Sequence, residues 1–315
     1  MSTISINKTK IPLGKKEHIK INVGSLPSGT IINLHVVVFR SKNPGPTLLV
    51  TGGVHGDEIN GVEIIRSALE QKYFDNLEKG TVIAIPLLNV YGFINFSRET
   101  PDGKDVNRSF PGNLNGSLSS RVARSLTKEI LPLIDYGLDF HTGGAARYNY
   151  PQVRYTAFHE KSKELALAFG APITIGNTPI PKSWRKVAIS KDKPVLIFEG
   201  GESLSYDGFT IQKGLEGINN ILSHIGMIKA NEKVSETIQI NKTTWLRASK
   251  PGLFLWIKQS GQWVLENEPL GIIRDPYGME RTIIKAKKSG FIIGHNNAPV
   301  VSLGDPLFHI GYDWD

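Results

Sequence analysis

Apolar side chains recur with two different periods along the chain, and these periods divide it into strands and helices. Residues 18–23 and 31–39 alternate apolar with polar positions, which is typical of half-buried strands. Four other runs are short and mostly apolar, like strands buried on both faces: 47–50, 81–88, 136–141 and 194–199. Helical spacing marks four segments: 59 to about 79, 119–134, 160–169 and 208–228. This order predicts an α/β fold with a mixed, mostly parallel sheet flanked by helices.

Two long segments follow neither period and are rich in polar side chains. They are residues 93–117, with Arg98, Asn107 and Arg108, and residues 177–193, with Arg185. Irregular segments of this length are uncommon inside compact domains unless they serve a function. We therefore expect the first segment to form a wall of the functional site and the second to be a loop.

The last part of the chain contains an internal repeat. The pattern Ala-x-Lys-x-Gly begins at Ala248 and again at Ala286, and the pattern Pro-Leu-x-x-Ile begins at Pro269 and again at Pro306. A duplication with an offset of about 37 residues, built from short strands and turns, predicts a small β-sandwich made of two related halves.

This repeat divides the chain into two predicted domains, a catalytic domain over residues 1–230 and an all-β sandwich domain over residues 231–315. The second domain resembles the biotinyl or lipoyl carrier fold, in which a modified lysine sits in the turn between the halves. The corresponding turn here, residues 275–278, contains no lysine. A carrier function is therefore disfavoured, and we interpret this domain as a lid or as an oligomerisation surface.

Composition narrows the classes of function. The 315 residues include no cysteine, so a metal ion would be bound by histidine and carboxylate side chains, a set that suits catalytic zinc. No apolar run reaches the roughly 18 residues of a membrane span, and the N-terminus lacks the apolar core of a signal peptide, so we expect a cytoplasmic protein without membrane contacts. The net charge of +8 is scattered along the chain, which favours a small anionic substrate over a nucleic acid.

Three predicted strand ends carry residue types that bind metal ions: His55 with Glu58, then His141, then Glu199. His55 and Glu58 alone are better explained as a loop histidine beside an acidic helix N-terminus. The carboxyl ends of parallel strands, however, meet at one edge of a sheet. Two imidazoles and one carboxylate would leave a fourth position for water, which is the arrangement of a catalytic zinc site.

The remaining polar residues suggest how such a site would work. Glu199 is suited to be the general base if it lies near the metal without binding it. Arginines form paired hydrogen bonds with carboxylates, so Arg98 and Arg108 are candidates for holding a substrate carboxylate or polarising a carbonyl, although both are also explained as solvated loop cations. Asp139 either orients an imidazole or is a buried, hydrogen-bonded strand residue.

Four motifs in this order resemble one known family. They are Gly53-Val-His-Gly-Asp-Glu58, Asp105-Val-Asn-Arg-Ser-Phe-Pro-Gly112, Leu138-Asp-Phe-His-Thr-Gly-Gly144 and Phe198-Glu-Gly200. Together with the β-rich tail they are similar to the succinylglutamate desuccinylase/aspartoacylase family, over roughly residues 45–310. The resemblance implies a zinc carboxypeptidase-like fold.

The resemblance also implies a role for each matching residue. One Zn²⁺ per chain would be bound by His55, Glu58 and His141, and Glu199 would be the base. The substrate-binding residues would be Asn107, Arg108 and Arg185, with Arg98 polarising the amide carbonyl. The segment between Arg98 and Asn107 is longer than in the aspartoacylase pattern, and Arg185 lies farther before Glu199 than the family arginine.

These observations lead to a hypothesis of a zinc-dependent amidohydrolase. Its substrate would be an N-acyl amino acid or a related small acid, cleaved with the help of a zinc-bound water and a glutamate base. A metallocarboxypeptidase that acts on peptide C-termini is the first alternative, and a non-catalytic metal-binding or metabolite-binding protein is the second. A homo-oligomer is compatible with each of them.

Overall fold

A large mixed sheet organises the protein in the computed structural model, which describes residues 3–229 and 236–314. The strands of the first part are β1 (Thr3–Ile6), β2 (Thr9–Pro12), β3 (Lys16–Ser25), β4 (Ile31–Arg40), β5 (Thr47–Gly52), β6 (Thr81–Ile85), β7 (Tyr136–Gly143), β8 (Arg147–Thr156), β9 (Ile173–Asn177) and β10 (Val195–Glu202). Those of the second are β11 (Ile238–Arg247), β12 (Gly252–Trp256), β13 (Trp263–Val264), β14 (Pro269–Arg274), β15 (Arg281–Lys285), β16 (Gly290–Asn296), β17 (Val300–Val301) and β18 (Pro306–Trp314).

Helices pack on both faces of this sheet. They are α1 (Ile59–Glu70), α2 (Val90–Ile94), α3 (Leu118–Ser125), α4 (Glu160–Phe169), α5 (Trp184–Ile189) and α6 (Gly208–His224), with a short 3₁₀ turn at Val106–Arg108 and a π-helical turn at Leu126–Ile130 that continues α3. Among the described residues no helix is both long enough and apolar enough to cross a bilayer.

The centre of the sheet is parallel, and antiparallel pairs border it on both sides; beyond β8, the strands β8, β9 and β11 are again parallel to one another. The strand order is β13-β16-β18-β11-β9-β8-β10-β7-β5-β6-β4-β3. β6, β5, β7 and β10 run in the same direction, whereas β8 runs against β10 and β4 runs against β6. The mixed α/β architecture follows the prediction. The four parallel strands bring their carboxyl ends to one edge, where polar side chains from separate strands can meet.

The apolar strands are buried on both faces, which explains their nearly continuous apolar sequence. Leu49 and Ile83 belong to one core, whereas Leu48, Val50 and Val82 belong to a second core on the opposite face. Successive side chains of a strand point to opposite faces, so helices on both sides require apolar residues at every position. This packing fixes the strands whose ends carry the polar site.

Two predicted boundaries differ from the structure. α1 ends at Glu70 instead of about residue 79, and Lys72 has a left-handed φ of 59°, which stops helical hydrogen bonding. The predicted loop over residues 177–193 contains α5, whose N-cap Ser183 accepts a hydrogen bond from the backbone N–H of Lys186. Arg185 therefore lies in the first turn of a helix.

The internal repeat corresponds to two sets of three strands in the same order, β12-β13-β14 and β16-β17-β18. The two sets exchange their short strands, because β13 pairs with β16 and β17 pairs with β12. Their apolar side chains share one core with Leu246 and Ala248. The C-terminal region is β-rich, as the repeat predicted, and the sandwich of two related halves stays a prediction.

The C-terminal strands are also hydrogen-bonded to the large sheet. β11 pairs with β9 in parallel, and β16 pairs with β8. The predicted boundary between residues 230 and 231 lies outside the described residues, and the division into two domains stays a prediction. For the site, the important consequence is that β11 is placed near the strands that carry polar residues.

Candidate active site

Three side chains converge at the carboxyl edge of the parallel strands. His55 and Glu58 lie in the turn between β5 and α1, and His141 lies near the end of β7, next to β5 in the sheet. Glycine is required at position 56, because a Cβ there would lie 2.0 Å from the carbonyl carbon of Gly92. This close approach lets the turn fold back over the start of α2 and hold both its side chains toward His141.

The donor atoms of these three residues face a single point. His55 Nδ1 lies 2.7 Å from Glu58 Oε1, and His141 Nδ1 lies 2.8 Å from Glu58 Oε2. The two Nδ1 atoms are 3.2 Å apart. Tetrahedral zinc with bonds near 2.1 Å would place its donors roughly 3.4 Å apart, so these three need only small outward movements to hold the ion. All three side chains are buried, and together they form the group in the described part of the chain that could hold a metal.

A carboxylate behind each imidazole fixes which ring nitrogen faces this point. Asp139 Oδ2 lies 3.0 Å from His141 Nε2, and Asp105 Oδ1 lies 3.2 Å from His55 Nε2. An ionised carboxylate only accepts hydrogen bonds, so both Nε2 atoms carry a proton, and in each neutral ring the lone pair lies on Nδ1. Histidine ligands of metal ions are commonly oriented in this way. The orienting role left open for Asp139 therefore agrees with its position.

The electrostatics of the triad favour a cation. Burial alone would lower the pKa of His141, but the charges of Asp139 and Glu58 raise it well above its ordinary value. Burial alone would raise the pKa of Glu58, but His55 and His141 lower it well below its ordinary value. Glu58 is therefore anionic. Beside this negative charge, the two histidines bind either a proton or, instead of the proton, a metal ion.

Glu199 lies beside the triad on the neighbouring strand. In the register of β10 and β7 it is directly opposite His141. Asn149 Nδ2 donates a hydrogen bond to Glu199 Oε2 at 3.0 Å, and Arg154 Nη1 lies 3.5 Å from Oε1. The carboxylate is thus held at the cavity wall by two residues of β8.

Arg98 comes from the long segment and reaches the rim of the triad. Its guanidinium donates hydrogen bonds of 3.0 Å to Glu58 Oε1 and to Asp105 Oδ2. Nη1 also lies 3.2 Å from His55 Nδ1. A carbonyl oxygen that approached the three donor atoms would therefore meet this guanidinium.

The other three predicted substrate-binding residues line the same cavity, which has a volume of about 250 Å³. Asn107 Oδ1 accepts a hydrogen bond from the backbone N–H of Trp184 at 2.9 Å, which leaves its Nδ2 available to a ligand. Arg108 is exposed at the entrance. Arg185 is buried, its Nη2 donates to Asn177 Oδ1 at 2.5 Å, and its Nη1 has no hydrogen-bond partner among the described residues.

Several residues of the site were missed by the sequence analysis. Asp105 contacts His55 across 50 residues of sequence, although it belongs to the Asp-Val-Asn-Arg motif. Asn149 and Arg154 lie on β8, a strand that the hydrophobic pattern did not predict. Trp245 lines the cavity from β11. The only available signal was the motif around Asp105.

We expect Asp139→Asn to weaken Zn²⁺ binding by about 10- to 100-fold, because the amide no longer anchors His141 as a charged acceptor. Isothermal titration of the metal-free protein measures the change. Asp192→Asn is a matched control, since Asp192 accepts from His159 Nε2 at the same distance of 3.0 Å but lies outside the cavity. Equal zinc affinity in the two variants would contradict a role of Asp139 in metal binding.

Comparison with known proteins identifies the family to which the chain belongs. The profile of the succinylglutamate desuccinylase/aspartoacylase catalytic domain matches residues 44–225. The N-alpha-acetyl-L-2,4-diaminobutyric acid deacetylase of Halomonas elongata is 26% identical over 294 residues, which cover 86% of this chain and 83% of that protein.

Solved structures show the same fold over nearly the whole chain. The product-bound ectoine utilisation protein EutE (DoeB) from Ruegeria pomeroyi superposes with a TM-score of 0.85 at 24% identity and covers 98% of both chains. A succinylglutamate desuccinylase/aspartoacylase from Rhodobacter sphaeroides gives a TM-score of 0.84 at 24% identity over 95% of both chains. The matched segment spans all four motifs, and the family resemblance predicted from them is confirmed. The chain belongs to the succinylglutamate desuccinylase/aspartoacylase family.

Proposed function

We propose that this protein is a zinc-dependent amidohydrolase that removes the acyl group from an N-acyl amino acid. The observation that carries the proposal is the convergence of three metal-donor atoms, a separate glutamate and a set of arginines on one cavity. Membership of a deacylase family supports the reaction class. The N-acetylated amino acid in the name of the Halomonas relative supports the substrate class.

His55, Glu58 and His141 would hold one Zn²⁺ per chain, and their nitrogen and oxygen donors suit this ion. Zinc in such a site supplies Lewis acidity and lowers the pKa of a coordinated water. The carboxylates of Asp105 and Asp139 keep the Nδ1 lone pairs on the metal side. The protein thus provides three ligands and leaves further positions to water and substrate.

Glu199 acts as the proton carrier in this proposal. It takes a proton from the attacking water and delivers it to the nitrogen of the leaving amino acid. Asn149 and Arg154 hold its carboxylate on the cavity wall. Arg98 donates hydrogen bonds to the developing negative charge on the acyl oxygen, because its guanidinium already lies beside the donor atoms.

Asn107 and Arg108 bind the α-carboxylate of the substrate, and Arg185 gives the cavity a further positive charge. Five arginines and two glutamates line the cavity. Glu58 and Glu199 already lie within 4 Å of Arg98 and Arg154, respectively. Burial and the charge of Arg154 lower the pKa of Arg185 to about 10, so it stays protonated at neutral pH. We infer that this cavity selects an anionic amino-acid side chain over a cationic one.

A substrate panel tests this function. We expect the zinc-loaded protein to hydrolyse N-acetylaspartate and N-acetylglutamate faster than N-acetylalanine. N-acetyl-2,4-diaminobutyrate, with a cationic side chain, should have a kcat/KM at least about tenfold below that of N-acetylalanine, because like charges placed together cost several kcal/mol. N-acetylalaninamide should lose about 10- to 100-fold relative to N-acetylalanine, because it lacks the carboxylate for Asn107 and Arg108.

The same panel, extended by a benzoylated dipeptide and a measurement of zinc binding, separates the alternatives. Release of C-terminal residues from a benzoylated dipeptide, without hydrolysis of any N-acyl amino acid, would establish a carboxypeptidase instead. Zinc binding without turnover of any compound would establish a metal-binding protein. Preference for N-acetyl-2,4-diaminobutyrate would contradict the charge argument while leaving the deacylase function intact.

A further inference from the structure

The candidate cavity extends from the donor triad across the face of the sheet toward the C-terminal strands. Glu199 on β10 lies opposite His141 on β7. On the next strand, β8, Arg154 lies opposite Ile197, and both residues line the cavity. β9 and β11 follow in the sheet. Each successive strand is roughly 4.8 Å farther from the triad, so a side chain on β11 lies at the far end of the cavity.

Trp245 on β11 occupies this far end. It lines the cavity, and it is the one lining residue that comes from the described segment 236–314. Its ring stacks on that of His309, with centroids 4.6 Å apart and planes 6° apart, and the two residues are directly opposite in the register of β11 and β18.

His309, on which the indole of Trp245 stacks, is a buried residue. Only 7% of His309 is exposed, and burial together with the charge of Arg154 lowers its pKa to about 3. The imidazole is therefore uncharged at neutral pH, and it packs flat against Trp245. A displacement of the indole that separates the two rings would lose this contact.

The geometry also indicates which part of a substrate faces Trp245. Asn107 of the proposed carboxylate clamp is hydrogen-bonded to the backbone of Trp184, and the next residue, Arg185, is hydrogen-bonded to Asn177 at the end of β9. β9 is the neighbour of β11 in the sheet. The clamp therefore belongs to the same wall as Trp245, so the amino-acid half of the substrate lies toward the indole and the acyl carbonyl lies toward the triad.

We propose that Trp245 limits the length of the amino-acid side chain that the cavity accepts. This inference rests on the proposed deacylase function and adds a specificity-determining residue to it. A side chain that is one methylene too long must displace the stacked indole or pull the scissile carbonyl away from the donor atoms. In a well-packed apolar contact, one methylene changes kcat/KM by about 10- to 200-fold.

The test uses Trp245→Ala and Trp245→Phe with three substrates of equal charge: N-acetylaspartate, N-acetylglutamate and N-acetyl-2-aminoadipate. Each differs from the previous one by one methylene. We expect Trp245→Ala to raise the ratio of kcat/KM for the 2-aminoadipate derivative over the aspartate derivative by at least about tenfold. Trp245→Phe keeps an aromatic ring on His309 and should give an intermediate ratio, and it serves as the second variant if Trp245→Ala does not fold.

Trp263→Ala is the matched control, because Trp263 lies on β13 in the same β-rich region, is 44% exposed and does not line the cavity. Its substrate ratio should equal that of the wild type. An unchanged ratio in both Trp245 variants would overturn the proposal. So would a change confined to a second series, N-acetyl, N-butyryl and N-hexanoyl aspartate, since that result would place the acyl group against Trp245.

A binding measurement separates this inference from the proposed function. Calorimetric titration of the zinc-loaded protein with free aspartate, glutamate and 2-aminoadipate requires no turnover. Trp245→Ala should shift the relative affinities toward 2-aminoadipate. Absence of hydrolysis together with this shift would refute the deacylase function and support the length limit, whereas hydrolysis with unshifted ratios and affinities would do the reverse.

Discussion

Glu199→Gln protein should bind Zn²⁺ as tightly as the wild type and lose about 10²- to 10⁴-fold in kcat, with little change in KM. The amide has the same size as the carboxylate, and its oxygen can still accept the hydrogen bond from Asn149. It cannot take a proton from water. Steady-state kinetics on the best N-acyl amino acid, with the zinc content measured in parallel, test this expectation.

Glu202→Gln provides the control for this experiment. Glu202 lies three residues later on β10, accepts a hydrogen bond from Asn297 Nδ2 at 2.5 Å, and does not line the cavity. The same chemical change on the same strand should leave kcat within about threefold, since it alters no group near the reacting atoms. Turnover by Glu199→Gln at a rate similar to that of Glu202→Gln would show that another group moves the proton.

The convergence of His55, Glu58, His141 and Glu199 could be predicted because it follows from a single rule of sheet topology. Each residue follows or ends a short apolar strand, and parallel strands place their carboxyl ends at one edge. No contact between the four had to be known in advance. The glycines beside them strengthened the prediction, since turns of this kind need backbone to pass close to backbone, as Gly56 does against Gly92.

β8 escaped prediction because its sequence, Arg147 to Thr156, satisfies different requirements on its two faces. Val153 faces the apolar core, whereas Asn149 and Arg154 face the cavity and hold Glu199. Polar residues at these positions disturb the alternation that identifies a strand. Asn149 and Arg154, which interrupt the pattern of a strand, are therefore also the residues that contact the proposed base, Glu199.

Contacts between distant parts of the chain could not be predicted from the sequence, for a different reason. Asp105 is paired with His55, and Trp245 is stacked on His309, only because strands and loops far apart in sequence are neighbours in the fold. One sequence contains the residue types but not their partners. The resemblance to a family supplied roles for Arg98 and Arg108, whereas the pairing of Asp105 with His55 and the position of Trp245 at the cavity required the three-dimensional arrangement.

The contacts and the charge of Glu58 explain why its replacement should strongly reduce zinc affinity. Glu58 contacts both histidines and also accepts hydrogen bonds from Arg98 and from the backbone N–H of Thr142. Of the three proposed metal ligands, it is the only one that carries a negative charge. Its loss would leave two imidazoles and a guanidinium around a divalent cation, with Asp105 and Asp139 directed at the far side of the rings.

We therefore expect Glu58→Gln to lower zinc affinity by more than about 100-fold, the upper end of what is lost when a ligand loses its orienting partner, and to abolish hydrolysis. Zinc at about 1,000 times its dissociation constant stabilises a folded protein by roughly 4 kcal/mol, so a chelator should lower the Tm of the wild type but not that of Glu58→Gln. Glu63→Gln, on α1, is the control, because Glu63 pairs with Arg66 outside the cavity. A Glu58→Gln protein that retained stoichiometric zinc and the chelator-sensitive Tm would show that the metal is held elsewhere.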